Sequence, residues 1–159
     1  ITTKISYANM IGDACEANGV DKNSVLHAIG GDSRIGRKYL KPGYSFGGPC
    51  FPRDTHALGM FIEQSGLNAC ITKATHEYND YHVEVQAEQL LEENLDQYEF
   101  IDVVYKENTE VPIIEESAKL KIAEYIAKMG KEVVICDKQH IITEVMKEYG
   151  STFIYKIKE

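Results

Sequence analysis

Residues 43–54 read GYSFGGPCFPRD, a glycine-rich loop that leads directly into an amphipathic helical pattern. Pro52 favours the first turn of that helix, because proline lacks the N–H that a first turn leaves unbonded. Cys50 is therefore predicted at or just before a helix N-terminus, where the helix dipole and Arg53 favour a thiolate. The glycines open the backbone to a ligand, and Asp54, about one turn further on, can order a water or accept a proton.

Other interpretations fit the same region of the sequence. The stretch also fits a structural Gly-Gly-Pro turn with an incidental small hydrophobe, since free cysteines are commonly buried. A basic cluster just upstream fits either a phosphate site or a solvated loop. The cluster consists of Arg34, Arg37, Lys38 and Lys41.

The composition argues against several classes of protein. The 159 residues are 43% hydrophobic and carry a net charge of −8, which disfavours general binding to nucleic acid or to anionic membranes. The four cysteines, at positions 15, 50, 70 and 136, form no C-x-x-C pair, so we expect no metal site. No secretory or transmembrane pattern is present, and a cytoplasmic location is the simplest prediction.

The hydrophobic pattern divides the chain in two, with a predicted boundary after residue 96. Residues 1–96 read as helices, and residues 97–159 alternate strands with helices, which predicts a partial parallel α/β sheet. The predicted helices cover 3–18, 21–31, 53–65, 68–94, 116–129 and 140–149, and the predicted strands cover 100–105, 132–136 and 152–157. No G-x-G-x-x-G motif follows the first strand. A helical pattern already runs by Lys4, so we expect a segment of a longer chain.

The run from residue 31 to residue 54 resembles, without gaps, the active-site segment of the nucleotide-sugar dehydrogenases, the UDP-glucose/GDP-mannose dehydrogenase family. Residues 4–30 and 68–95 are similar to the helices that flank this segment in the family. Residues 103–109 resemble the strand-loop motif that opens the family's C-terminal nucleotide-sugar domain. The resemblance implies a helical central, dimerising domain followed by a partial Rossmann-like domain.

The resemblance also implies a reaction. Family members oxidise the C6 alcohol of a nucleotide sugar to a carboxylate with two NAD, through a cysteine-bound thiohemiacetal and thioester. Cys50 matches the nucleophile and Asp54 the water-ordering aspartate. Arg53 matches a basic position near the cofactor.

Further positions match substrate contacts of the family. Tyr39, Leu40 and Lys41 match a strip along the sugar nucleotide, and Arg34 matches an arginine that reaches the substrate of the partner subunit in a homodimer. The remaining matches are Phe46 and Gly47, which would close over the sugar and nucleotide, and Tyr105 and Lys106 from the C-terminal domain.

Some features depart from the family pattern. The NAD-binding N-terminal domain and the upstream catalytic lysine and asparagine are missing, so the chain alone is expected to be inactive. Glu115 stands where the family usually has an arginine that meets the cofactor. UDP-glucose, UDP-N-acetylmannosamine, UDP-N-acetylglucosamine and GDP-mannose all remain open as substrates. The alternatives are a non-catalytic dimerisation module and a thiol hydrolase that pairs Cys50 with His56.

Overall fold

The computed structural model describes residues 1–105 and 111–158. Its elements, in chain order, are α1 Thr2–Ala17, α2 Lys22–Gly31, α3 Phe51–Gln64, α4 Cys70–Glu92, β1 Gln97–Ile101, α5 Ala118–Lys128, β2 Glu132–Asp137, α6 Gln139–Tyr149 and β3 Ile154–Ile157. They form two compact units. The first contains Ile1–Phe46 and Cys50–His82, and the second contains Gly47–Pro49 and Val83–Glu159.

The first unit is helical. Its α1 and α2 pack around a small core of Ala8, Leu26 and Leu40. Asp21 caps α2 by accepting hydrogen bonds from the N–H groups of Asn23 at 3.0 Å and Ser24 at 3.2 Å. This cap confirms the helix start predicted from the sequence, because a carboxylate there satisfies N–H groups that have no partner within the helix.

The second unit is built on a parallel sheet with strand order β1-β2-β3. Ile135 of the central strand lies opposite Phe100 on one side and Tyr155 on the other. The core of this unit is made of apolar side chains from the sheet, from α5 and α6, and from the end of α4, among them Val83, Leu120, Ile126, Ile135, Ile142 and Val145. Alternating strands and helices produce this arrangement because each helix must bury its apolar stripe against the sheet.

The predicted fold class, helices followed by a small parallel α/β sheet, is confirmed. One strand is shifted: β1 covers 97–101 instead of 100–105. Asp102 adopts φ 54°, outside the extended region, and this ends the strand. The following Val103 is held by its N–H, which donates to the Asp137 carboxylate at 2.7 Å.

The contacts separate the two units after His82, whereas the sequence places the domain boundary after residue 96. The last turns of α4 pack into the core of the second unit, so the helix contributes residues to both units. The boundary after residue 96 stays a prediction.

In the described part of the chain, no helix combines the length and apolar character needed to span a bilayer.

Candidate active site

Cys50 lies at the junction between the glycine-rich loop and α3. It is the N-cap residue of the helix, its side chain makes no capping hydrogen bond, and it is exposed. The Asp54 N–H donates to the Cys50 carbonyl at 2.8 Å, so the two residues are one turn apart as predicted. The Asp54 carboxylate accepts from Arg53 Nε at 2.9 Å. A thiol, a carboxylate and a guanidinium are thus presented on the first turn of α3.

His56 of α3 and His76 of α4 contact each other. The His56 ring stacks on the His76 ring with a centroid distance of 3.8 Å, and His76 Nε2 donates to the Pro52 carbonyl at 3.1 Å. His76 therefore ties α4 to the start of α3. The thiol-hydrolase alternative gains no support, because His56 is engaged with His76.

The loop that precedes Cys50 is held by a buried asparagine of α4. Asn79 accepts from the Phe46 N–H at 2.8 Å through Oδ1 and donates to the Phe46 carbonyl at 3.0 Å through Nδ2. Its backbone carbonyl accepts from the Ser45 hydroxyl. A single amide thus binds both polar groups of one loop residue, as a neighbouring strand would. Phe46, predicted to cover the substrate, is itself only 5% exposed.

The beginning of the same loop is held by α1 and by the last residue of the first unit. Asn9 accepts from the Gly43 N–H at 3.0 Å and donates to the Tyr44 carbonyl at 3.3 Å. His82 contacts the Gly43 carbonyl through Nε2 at 2.7 Å. Asp13 of α1 lies behind His82, with its Oδ2 atom 2.7 Å from His82 Nδ1. We call Asn9, Asp13, Asn79 and His82 the loop clamp.

The loop clamp was not predicted from the sequence. A signal was present: Asn9 and Asp13 are four residues apart on α1, and Asn79 and His82 are three residues apart on α4, so each pair shares a helix face. Buried polar side chains on a helix need partners. The sequence does not show that the partners belong to the loop.

Within the second unit, the Gly-Gly-Pro segment is enclosed by chain that lies far away in sequence. The Gly48 N–H donates to the Glu115 carbonyl at 3.0 Å. A Cβ on Gly47 would overlap the Glu116 carbonyl, and a Cβ on Gly48 would overlap the Tyr105 ring. The space beside these two glycines is therefore filled by protein. Lys106, the neighbouring predicted substrate contact, lies outside the described residues.

The basic cluster forms a concave surface. A shallow cavity of about 500 Å³ is lined by Ile5, Arg37, Lys38, Tyr39 and Lys41. Tyr39 adopts φ 60°, a conformation that costs a non-glycine residue about 1 kcal/mol. Leu40, the next residue, is buried in the core formed with Ala8 and Leu26. The cavity can accept an anion of several negative charges.

Arg34 is not part of this cavity lining. Its guanidinium forms a two-point contact with Asp32, with Nε to Oδ1 at 3.0 Å and Nη2 to Oδ2 at 2.6 Å, and its side chain is 87% exposed. The Arg34 hydrogen bonds hold the pKa of Asp32 below its usual value and raise the pKa of Arg34. Among the residues described, no group of three or more potential ligands is placed to hold a metal ion.

The comparison with protein families decides the assignment. The family model described as "UDP-glucose/GDP-mannose dehydrogenase family, central domain" matches residues 1–81. The chain belongs to the UDP-glucose/GDP-mannose dehydrogenase family. The resemblance found in residues 31–54 is thereby confirmed.

Individual members of the family match different lengths of the chain. UDP-glucose 6-dehydrogenase TuaD of Bacillus subtilis (strain 168) is 45% identical over 80 residues, which cover 50% of this chain and 17% of TuaD. UDP-glucose 6-dehydrogenase AglM of Haloferax volcanii is 32% identical over 152 residues, which cover 93% of this chain and 34% of AglM. The chain thus spans about a third or less of the length of these two family members.

Solved structures of the family share the fold. A UDP-glucose dehydrogenase from the archaeon Pyrobaculum islandicum has a TM-score of 0.85 and 34% identity, over 98% of this chain and 36% of that protein. A GDP-mannose dehydrogenase from Pseudomonas aeruginosa has a TM-score of 0.64 and 25% identity, over 96% of this chain and 38% of that protein. The helical unit and the parallel sheet are therefore both family features.

Proposed function

We propose that the chain is part of an NAD-dependent nucleotide-sugar 6-dehydrogenase that converts a C6 alcohol to a carboxylate. The observation that carries this proposal is the exposed Cys50 at the N-cap of α3, with Asp54 one turn further on. Family membership supplies the reaction class. The chain alone is expected to be inactive, because its relatives are about three times longer or more.

The cavity beside the loop supports a nucleotide sugar as the substrate. Arg37, Lys38 and Lys41 converge on it, and a diphosphate needs such a concentration of positive charge. The Tyr39 ring offers an apolar surface to the sugar or the base. Relatives named UDP-glucose 6-dehydrogenase favour a UDP-sugar, and AglM matches most of this chain. Arg34, Leu40, Phe46, Gly47, Tyr105 and Lys106 stay predicted substrate contacts.

Cys50 would carry the sugar between the two oxidations. Its thiolate adds to the C6 aldehyde, a C–S bond forms, and the carbonyl oxygen takes a proton to give a thiohemiacetal. Loss of a hydride from C6 and of the hydroxyl proton leaves a thioester. A water then adds to the thioester carbon, the C–S bond breaks, and the carboxylate leaves. Asp54 would position that water, and thiolate is a good enough leaving group for the last step.

The cofactor contributes the hydride acceptor in both oxidations. The connections after β1 and β2 contain no glycine, so they offer no glycine-rich cradle for a pyrophosphate. The exposed, cationic Arg53 on the first turn of α3 does suit a contact with the cofactor. Most NAD contacts are expected from parts of the longer relatives that this chain does not span.

Replacing the nucleophile tests the proposal, with a second cysteine as the matched control. In the full-length protein, Cys50→Ser should lower the rate of acid formation from a UDP-sugar by at least about a hundredfold. Cys70 is the matched control, because it is also exposed and also begins a helix. Cys70→Ser should leave the rate of acid formation within about twofold of wild type, because Cys70 is not part of the proposed site. The assay counts NADH per sugar consumed, and two per sugar are expected. Undiminished acid formation by Cys50→Ser would refute the proposal. A wild-type protein that is inactive with all four nucleotide sugars would favour the alternative, a non-catalytic dimerisation module.

We also infer a homodimer through the helices of the first unit, in the cytoplasm. Exposed apolar side chains on α3, Leu58, Met60 and Phe61, support a partner surface there. A thiol nucleophile must stay reduced, which suits a cytoplasmic location. Sedimentation equilibrium of the full-length protein measures the assembly, and a monomer would contradict it.

A further inference from the structure

A buried histidine in the loop clamp contacts an oxygen atom through each ring nitrogen. His82 Nε2 lies 2.7 Å from the Gly43 carbonyl oxygen, and Nδ1 lies 2.7 Å from Asp13 Oδ2. The side chains of His82 and Asp13 are 5% and 13% exposed. Because a carbonyl can only accept, Nε2 must carry a hydrogen. One further proton is therefore shared between His82 Nδ1 and the Asp13 carboxylate.

A second donor faces the same oxygen of Asp13. The Tyr78 hydroxyl donates to Asp13 Oδ2 at 2.7 Å. Burial, and then the hydrogen bond to Asp13, raise the pKa of Tyr78, so its hydroxyl stays protonated and donating. The Tyr81 ring lies edge-on against Tyr78 with a centroid distance of 5.7 Å. The carboxylate thus receives two donors, and the imidazole serves as the link from Asp13 to the loop.

We propose that Asp13 and His82 are positioning residues, which share a proton and fix the Gly43–Phe46 segment that leads to Cys50. Three elements meet in this link: α1 through Asp13, α4 through His82, and the loop through the Gly43 carbonyl. The inference rests on the proposed function only for its activity measurement.

The hydrogen-bonded link and a simple space-filling role for His82 predict different responses to substitution. Glutamine has nearly the length of histidine, but it has a donor on one arm and an acceptor on the other. In His82→Gln, the amide can satisfy either the Gly43 carbonyl or the Asp13 carboxylate, and its oxygen faces the other acceptor. Adding Asp13→Asn removes that conflict, because the asparagine amide can donate to the glutamine oxygen. Rescue by the second substitution is thus specific to the hydrogen-bonded link.

The test uses four versions of the full-length protein: wild type, D13N, H82Q and D13N/H82Q. Hydrogen–deuterium exchange is followed in peptides that cover Gly43–Phe46. H82Q should exchange at least about tenfold faster there, and the double variant should return to within about threefold of wild type. D13N alone should stay close to wild type, since a neutral His82 can accept from the asparagine amide. Replacing the exposed His140 with glutamine is the control and should leave exchange in this segment unchanged.

Activity gives a second, separate measurement. H82Q should lower kcat for acid formation about tenfold with the KM for NAD unchanged, because a misplaced loop affects the reacting thiol and not the cofactor. If the wild type oxidises no nucleotide sugar, the proposed function fails while the exchange measurement still decides this inference. If H82Q does not fold, a folded D13N/H82Q with native exchange supports the pair. The inference is overturned if H82Q exchanges like wild type, or if the double variant is no better than H82Q.

Discussion

At the scale of single residues, Gly48 is a position where both the backbone conformation and the surrounding atoms oppose a side chain. It adopts φ 78°, and an added Cβ would overlap the Tyr105 ring. We expect Gly48→Ala to lower the free energy of unfolding of the full-length protein by about 2–4 kcal/mol, from a positive φ and from overpacking. Urea denaturation measures this loss.

Gly66 provides a matched control for the backbone part of that loss. Its φ is 75°, and no atom lies within 4 Å of an added Cβ. Gly66→Ala should therefore cost only about 1 kcal/mol. Equal losses at the two positions would show that Tyr105 does not occupy the space beside Gly48.

The residue scale also shows where sequence reasoning stops. The position of Cys50 at a helix start was predictable because proline, glycine and periodicity are local signals. The Asn79 contacts with Phe46 join residues 33 apart, and the Asp13–His82 contact joins residues 69 apart. No local pattern encodes which distant backbone a polar side chain will bind, so the loop clamp required the structure.

At the scale of elements, Ser117 ties the start of α5 to the end of the β1 region. It caps the helix by accepting from the Leu120 N–H, and its hydroxyl donates to the Val103 carbonyl at 2.6 Å while only 2% of the residue is exposed. Ser117→Ala should lower the free energy of unfolding by about 2–3 kcal/mol, because the buried Val103 carbonyl loses its donor.

The exposed cap of α2 is the comparison for Ser117. Asp21→Ala removes a similar cap in contact with solvent, so a loss of about 1 kcal/mol is expected. Thermal or urea unfolding of both variants measures the difference. A loss at Ser117 no larger than at Asp21 would contradict the role assigned to the buried bond.

Most elements were predictable because their hydrophobic periodicity is strong. The helices α5 and α6 agree with the sequence expectation within two residues at each end. The strand β1 was placed three or four residues too late, since Val103 and Val104 look like strand residues. The left-handed Asp102 turns them out of the strand, and Val103 is then held by Asp137 instead of a neighbouring strand.

At the scale of the whole molecule, the second unit should lose stability at alkaline pH. Burial, and then the charges of Glu148, Glu124 and Glu116, raise the pKa of Tyr149 from 10.0 to about 12. The neutral phenol is thus favoured by folding. That stability is complete below pH 10 and is lost as the pH rises towards 12.

The variant Tyr149→Phe isolates this effect, because it keeps the ring that packs on Phe153 with a centroid distance of 5.2 Å. Between pH 8 and about pH 11, the free energy of unfolding should fall by on the order of 1 kcal/mol more in the wild type than in the variant. This value is reduced because Tyr149 is partly exposed to solvent. Urea titrations at several pH values measure it. Parallel pH curves for the two proteins would contradict the shift.

The membership of Gly47–Pro49 in the second unit has a consequence for recombining this protein with its relatives. A crossover after His82 follows the division between the two units, yet it would separate this tripeptide from Tyr105, Glu115 and Glu116. Hybrid proteins joined there would combine a mismatched pair of segments unless these three residues came from the same parent as the downstream part. The three positions that immediately precede Cys50 thus belong, by their contacts, with the part of the chain downstream of His82.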